Sequence, residues 1–217
     1  MSYRKTIFRS VLLLSFIIYG FTNARADETY KRFGIMSALE SELRLLLSQA
    51  TVHETITIGS VDYHLATLQS RDVVLVQAGG YGILPSASTS ILIHELGVDA
   101  IIFTGIAGGV AQGTRVMDVV VSKNFVIHDC GTETNNGFVW KPDCGVYPDG
   151  SIPADKKLRQ IAVDAARQVV GDKHVFQGTI VSGEAFIASE SYVRFLREKF
   201  DAYAVESEGG PVARVAY

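Results

Sequence analysis

Short apolar runs alternate with amphipathic stretches along most of this chain. Phe33 to Met36, Val73 to Ala78, Ala100 to Thr104, Asp118 to Ser122, Thr179 to Ser182 and Tyr203 to Val205 are brief and apolar, the pattern of buried strands. Between several of them the period changes to that of a helix. Glu40 to Gln49 spaces Leu43, Leu46 and Leu47 along one face, Ala87 to Leu96 does so with Ile91 and Leu92, and Ala154 to Val170 with Leu158, Ile161, Ala165 and Val169. Residues 55–68 alternate instead, with Ile56, Ile58, Val61, Tyr63 and Leu65 arranged about Gly59-Ser60, which predicts a hairpin with a two-residue turn. Strands alternating with helices predict an α/β domain with a central mixed, twisted sheet flanked by helices, the hairpin supplying its antiparallel part. In such sheets ligands collect at the carboxyl ends of the strands.

The first 26 residues do not follow this pattern. A basic start (Arg4, Lys5, Arg9), an apolar run from Val11 to Phe21 and an A-x-A site at Ala24-Arg25-Ala26 have the order of a secretory signal peptide. An apolar run broken by Ser15 and Gly20 is short against the roughly 20 residues that a spanning helix needs. The expectation is therefore an exported protein, periplasmic or secreted, with residues 27–217 forming one domain and no membrane contact after cleavage. The whole chain holds 20 Lys and Arg against 23 Asp and Glu. Losing four basic and no acidic residues with the leader leaves 16 against 23, net −7. That balance argues against nucleic acid as a partner. Cys130 and Cys144 bracket a polar, glycine-containing loop that an exported chain could close with a disulfide; two free thiols are the other reading. Neither has a zinc-ligand spacing around it, and no metal or cofactor is expected.

Candidate chemistry clusters where the strands end. Gly79-Gly80-Tyr81-Gly82 and Gly105-Ile106-Ala107-Gly108-Gly109 each follow a strand, and glycine there lets backbone approach a ligand; taken singly, each also reads as a tight turn. Glu40 and Glu42 open a helix, where carboxylates commonly do no more than complement its dipole. Phe186 between aliphatic neighbours reads as core on local grounds. Glu206 and Glu208 flank Ser207 near the end of a strand, where two carboxylates are costly unless hydrated or met by donors. A ribose diol would supply such donors.

Taken in order, these segments resemble the nucleoside phosphorylase and nucleosidase superfamily, and most closely the methylthioadenosine/S-adenosylhomocysteine nucleosidases. FGIMSALESEL looks like the family's first strand and GAMEEE turn, TGIAGG and DVVVS like TGSAGG and DIVVS, His128-Asp129 like an HD pair, VSGEAFI like VSGDAFI, and AVESE like AVEME. The resemblance spans about Phe33 to Tyr217. It implies hydrolysis of the N-glycosidic bond of a purine nucleoside, with Glu42 as the base that activates water. Phe186 would stack on the purine, the Ile187 backbone would bond its edge, Ser207 would touch the sugar and Glu208 would hold the ribose hydroxyls. Ile106, Ala107 and Gly108 would line the side from which water attacks. Acidic Ser37 to Glu42 stands where related phosphorylases place an arginine, which favours hydrolysis over phosphorolysis. A homodimer whose neighbour closes the pocket is also implied.

Some features depart from the family. Ile106 replaces a serine and Ser207 a methionine. The family's ISD-type aspartate, which protonates the purine at N7, falls beyond Tyr217, so the fold is expected to lack its last strand and closing helix. Glu184 and Asp201 are acids nearby in sequence, but neither occupies that position. Gly209 to Tyr217 reads as the start of a helix, with Val212 and Val215 at helical spacing and nothing after it to pack on. A non-catalytic nucleoside-binding or storage protein, or an inactive remnant, is accordingly the alternative to an active nucleosidase.

Overall fold

The computed structural model describes residues 30–217; the segment read as a signal peptide lies outside them. The predicted mixed sheet is present as two five-stranded sheets. The first runs β2 (Thr51–Ile58), β3 (Val61–Leu68), β4 (Arg71–Gln77), β1 (Arg32–Ser37), β5 (Ala100–Phe103). Strands β4 and β5 lie parallel to β1 on its two sides, and β3 pairs antiparallel with both β2 and β4. The turn between β2 and β3 is at Gly59-Ser60, as the alternation predicts, with Gly59 at φ 64°.

The apolar run of β4 follows from burial on both faces. Val74 and Val76 enter one cluster with Met36, Tyr63 and Leu92, while Val73 and Leu75 enter another with Ile35, Leu43 and Leu46. Helix α1 (Glu40–Gln49) therefore covers one face and α2 (Ile83–His94) the other. Helix α2 begins four residues before the predicted Ala87. Pro85 in its first turn lacks only an N–H that would have no intrahelical partner there.

The second sheet runs β10 (Ser151–Pro153), β7 (Val119–Ile127), β11 (Val175–Ser182), β12 (Ala202–Glu206), β6 (Gly108–Gly109). Strands β7, β11 and β12 are parallel, whereas β10 and β6 run antiparallel along the two edges. Helix α3 (Lys156–Val170) is capped by Asp155, whose carboxylate accepts from the N–H groups of Lys157 and Leu158. Helix α4 (Glu190–Phe200) was not anticipated from periodicity. Its signals are a Ser189 cap, Val193, Leu196 and Phe200 on one face, and Asp201 at φ 49° as its left-handed stop.

The second cysteine reading is corrected: Cys130 and Cys144 are bonded, closing a small hairpin of β8 (Gly131–Thr134) and β9 (Gly137–Trp140). Trp140 anchors it, donating to the Ile127 carbonyl and packing edge-on against Phe200.

The last helix, α5 (Gly209–Ala216), is covered by an earlier element of the chain. Val212 is buried in the cluster of Met36, Val74 and Leu92, so α5 lies against α2 rather than against a later segment. Its entry needs Gly210, where a Cβ would lie 2.7 Å from the Ser182 hydroxyl.

Candidate active site

Glu42 is the third residue of α1 and is buried. Its Oε2 accepts from the Leu39 N–H at 2.9 Å, which is one half of a capping box and orients the carboxylate at the helix start. Oε1 accepts from the Ile106 N–H at 2.9 Å. The end of β1 and the loop after β5 are thus joined through one carboxylate, and each oxygen keeps a lone pair that a water molecule can address. The same loop continues into β6, where Gly108 pairs with Val205 and Gly109 with Ala204. Ile106, Ala107 and Gly108 thereby connect the Glu42 corner to the strand that ends in Glu206. Ile106 donates through its backbone, and its side chain is 74 % exposed.

At that strand end the two glutamates separate in role. The Glu206 carboxyl is enclosed: Ser182 Oγ donates to Oε1, and the N–H groups of Glu208 (2.8 Å) and Gly209 (2.5 Å) donate to Oε2. The Gly210 N–H completes the cluster by donating to Ser182 Oγ at 2.7 Å. Burial pushes the Glu206 pKa upward, and these hydrogen bonds oppose it. The donors that make its burial tolerable are backbone and serine rather than a ligand. Glu208 Oε1 accepts from the Tyr81 N–H at 2.8 Å and Oε2 from the Ser207 N–H at 3.2 Å.

Glu184 and Asp129 also belong to this corner. Glu184 Oε1 accepts from the Gly82 N–H at 2.9 Å, and its own N–H donates to Asp129 Oδ2 at 2.7 Å. An open cavity of about 450 Å³ is lined by Gly82, Ser86, Asp129, Glu184, Ser207 and Pro211, among others. Phe186, two residues beyond Glu184, is 89 % exposed, so the core reading of this aromatic is wrong and its ring is free to meet a ligand. Ile187 is part-buried against the cluster of Val181 and Leu196. Next to Asp129, His128 is buried, with Nδ1 3.2 Å from the Tyr192 hydroxyl and Nε2 without a partner; burial lowers its pKa. Among the described residues no group of three or more His, Cys, Asp or Glu is arranged to hold a metal.

The predicted site residues therefore fall into two connected corners. Glu42 with Ile106 to Gly108 forms one; Ser207 and Glu208, beside the segment that carries Phe186 and Ile187, form the other. Sequence reasoning did not find the contacts of Glu184 and Tyr81, because hydrogen bonds from backbone N–H groups carry no residue signature.

A family model described as the phosphorylase superfamily matches residues 32–217. A 5'-methylthioadenosine/S-adenosylhomocysteine nucleosidase of Anoxybacillus flavithermus is 32 % identical over 184 residues, covering 84 % of this chain and 78 % of the relative. The crystal structure of the Neisseria meningitidis 5'-methylthioadenosine/S-adenosylhomocysteine nucleosidase in complex with methylthio-immucillin-A is similar with a TM-score of 0.75. It is 30 % identical, with 85 % of this chain and 79 % of that one covered. The corresponding S. pneumoniae enzyme with the transition-state inhibitor MT-ImmA gives a TM-score of 0.73 at 29 % identity, with 85 % and 79 % covered. With a family model matched along nearly all the described residues, and a relative 32 % identical over 84 % of its length, this chain belongs to the phosphorylase superfamily.

Proposed function

We propose that the protein hydrolyses the N-glycosidic bond of a purine nucleoside of the 5'-methylthioadenosine/S-adenosylhomocysteine type. The observation that carries this reading is the Glu42 carboxylate, held by two backbone N–H groups beside the Ile106 to Gly108 loop. Glu42 takes a proton from water as the water oxygen bonds to the anomeric carbon; the electron pair of the broken glycosidic bond goes to the purine nitrogen, and the base takes up a proton from solvent as it leaves. Glu208 accepts from the ribose hydroxyls, Phe186 stacks on the base and the Ile187 backbone meets its edge. Positive charge develops on the sugar in such a step, and carboxylates on either side stabilise it. A carboxylate where phosphate would sit repels that anion, which supports water as the nucleophile. The relatives named above as nucleosidases, one of them complexed with methylthio-immucillin-A, support the substrate class.

A second reading, nucleoside binding without turnover, is favoured by one observation. Burial raises the pKa of Glu206, yet its carboxyl is committed to Ser182, Glu208 and Gly209 and is not free to protonate a departing base. Incubation of the protein with methylthioadenosine distinguishes the two. Adenine release supports hydrolysis, and calorimetric binding with no release by folded protein selects the second reading.

Export and dimerisation extend the proposal. The Cys130–Cys144 bond fits an oxidising compartment. Exposed Leu39, Tyr81, Ile83, Leu84 and Phe186 are apolar side chains from the loops and the helix start around the site, and a second copy would cover them. Mass spectrometry of the protein from the cell envelope should find Asp27 as its first residue, and light scattering should give twice the chain mass.

A further inference from the structure

The turn before α2 is held in an unfavourable conformation by two carboxylates from distant parts of the chain. Tyr81 has φ 67°, a left-handed conformation that side chains other than glycine rarely adopt. Its N–H donates to Glu208, and the next N–H, that of Gly82, donates to Glu184. Contact at Gly82 is close: a Cβ there would lie 2.8 Å from Glu184 Oε1 and 2.7 Å from Pro211. Glu184 is fixed in turn by its own N–H, which donates to Asp129. The Gly183 N–H donates to the Glu206 carbonyl at 3.2 Å and links the same two loops from behind. Strained backbone persists where its surroundings over-determine it, and here the two neighbouring N–H groups are the points of restraint.

We infer that Glu184 is a positioning residue for the ribose-holding carboxylate, acting through the Tyr81-Gly82 turn rather than on the substrate. This rests on the nucleosidase reading, which assigns the ribose to Glu208. Without the Glu184 acceptor the Gly82 N–H is released, Tyr81 relaxes toward negative φ, and its N–H no longer orients Glu208. Because Glu208 holds the sugar before and during reaction alike, the loss appears in KM and not in kcat. A carboxylate that served only as a cap for the start of α2 would alter stability alone.

The test compares Glu184→Ala, Glu184→Gln and Glu184→Asp with wild type, reading methylthioadenosine hydrolysis and calorimetric binding in parallel. Asp155→Ala, which removes the cap of α3, is the control for a purely structural cap. Glu184→Ala is expected to raise KM, or Kd where only binding is measured, about tenfold, with kcat within about threefold. Glu184→Gln keeps an oxygen for the Gly82 N–H and is expected to restore most of the affinity. Glu184→Asp, one methylene shorter, is expected to resemble the alanine variant, and this pair decides the matter if Glu184→Ala does not fold. Hydrogen exchange at residues 80–83 should quicken in the alanine and aspartate variants only. Asp155→Ala should lower the melting temperature with KM unchanged. An unchanged KM and Kd in both Glu184→Ala and Glu184→Asp, or a loss confined to kcat, overturns the inference while the nucleosidase reading stands. Wild-type protein that neither binds nor cleaves the nucleoside overturns both.

Discussion

Glu42, in the helix that follows the first strand, and Glu206, at the end of β12, are carboxylates withdrawn from solvent beside the two sheets, and they have opposite fates. Glu42 sits in the first turn of α1, just past β1, with one backbone N–H on each oxygen, while Glu206 at the end of β12 is met by Ser182 and two backbone N–H groups and closes the entry to α5. The first is restrained but retains capacity for water; the second spends its capacity on the fold. Burial by itself therefore does not mark a reactive acid. The number and source of its donors do, because a carboxylate enclosed by three protein donors has little left to offer a substrate.

The sharpest way to break this contrast is Glu42→Gln. The amide cannot accept the proton of water, so kcat for methylthioadenosine should fall by ~10² to 10⁴ with the melting temperature little changed. Steady-state adenine release beside a thermal melt reads both. Retained activity would show that Glu42 is not the base.

Glu206→Ala should do the reverse and strike stability. It strands the Ser182 hydroxyl and the N–H groups of Glu208 and Gly209 without an acceptor, at a cost of roughly 3 kcal/mol. Chemical denaturation measures this loss, and a stability within about 0.5 kcal/mol of wild type would remove Glu206 from its structural role.

The titration of Glu206 sharpens the contrast further. Its pKa in the folded protein lies above the ordinary 4.5, so folded protein holds this proton more tightly than unfolded chain does. The resulting stabilisation is complete below pH 4.5 and is lost as pH rises through the folded value. Glu206→Gln stays neutral throughout. The melting-temperature difference, wild type minus variant, should therefore decline as pH rises from below 4.5; a flat difference would show no shift in the folded protein.

The smallest effect on stability is expected at Phe186. A side chain this exposed contributes little to folding, so Phe186→Ala should change stability by less than about 0.5 kcal/mol. Calorimetry should nevertheless show weakened purine binding. Unchanged affinity would remove the aromatic platform from the site.

Much of this was legible in the chain itself. The apolar run of β4 and the helical spacing of Leu43, Leu46 and Leu47 predict a buried strand and a helix, both present, because period and burial are local consequences of side-chain order. The ordered motifs single out Glu42, Phe186 and Glu208 as site candidates. Less was legible where the backbone does the work. The helical spacing of Ile91 and Leu92 places the start of α2 at Ala87, four residues late, because its first turn carries Pro85 and no part of that spacing. Helix α4 escaped notice although Ser189 caps it. The glycine segment at Tyr81-Gly82 reads locally as a tight turn, but the acceptors of its N–H groups are Glu208 and Glu184, more than 100 residues away.

The order of residues alone determined the α/β alternation, the family and the identity of the acidic and aromatic groups at the strand ends, because those properties are carried by side-chain type and spacing. Only the tertiary structure decided which carboxylate stays available and which is consumed, that Cys130 meets Cys144, and that α5 packs on α2. Each of those outcomes depends on groups far apart in sequence coming within bonding distance, and the chain closes such distances only when it folds.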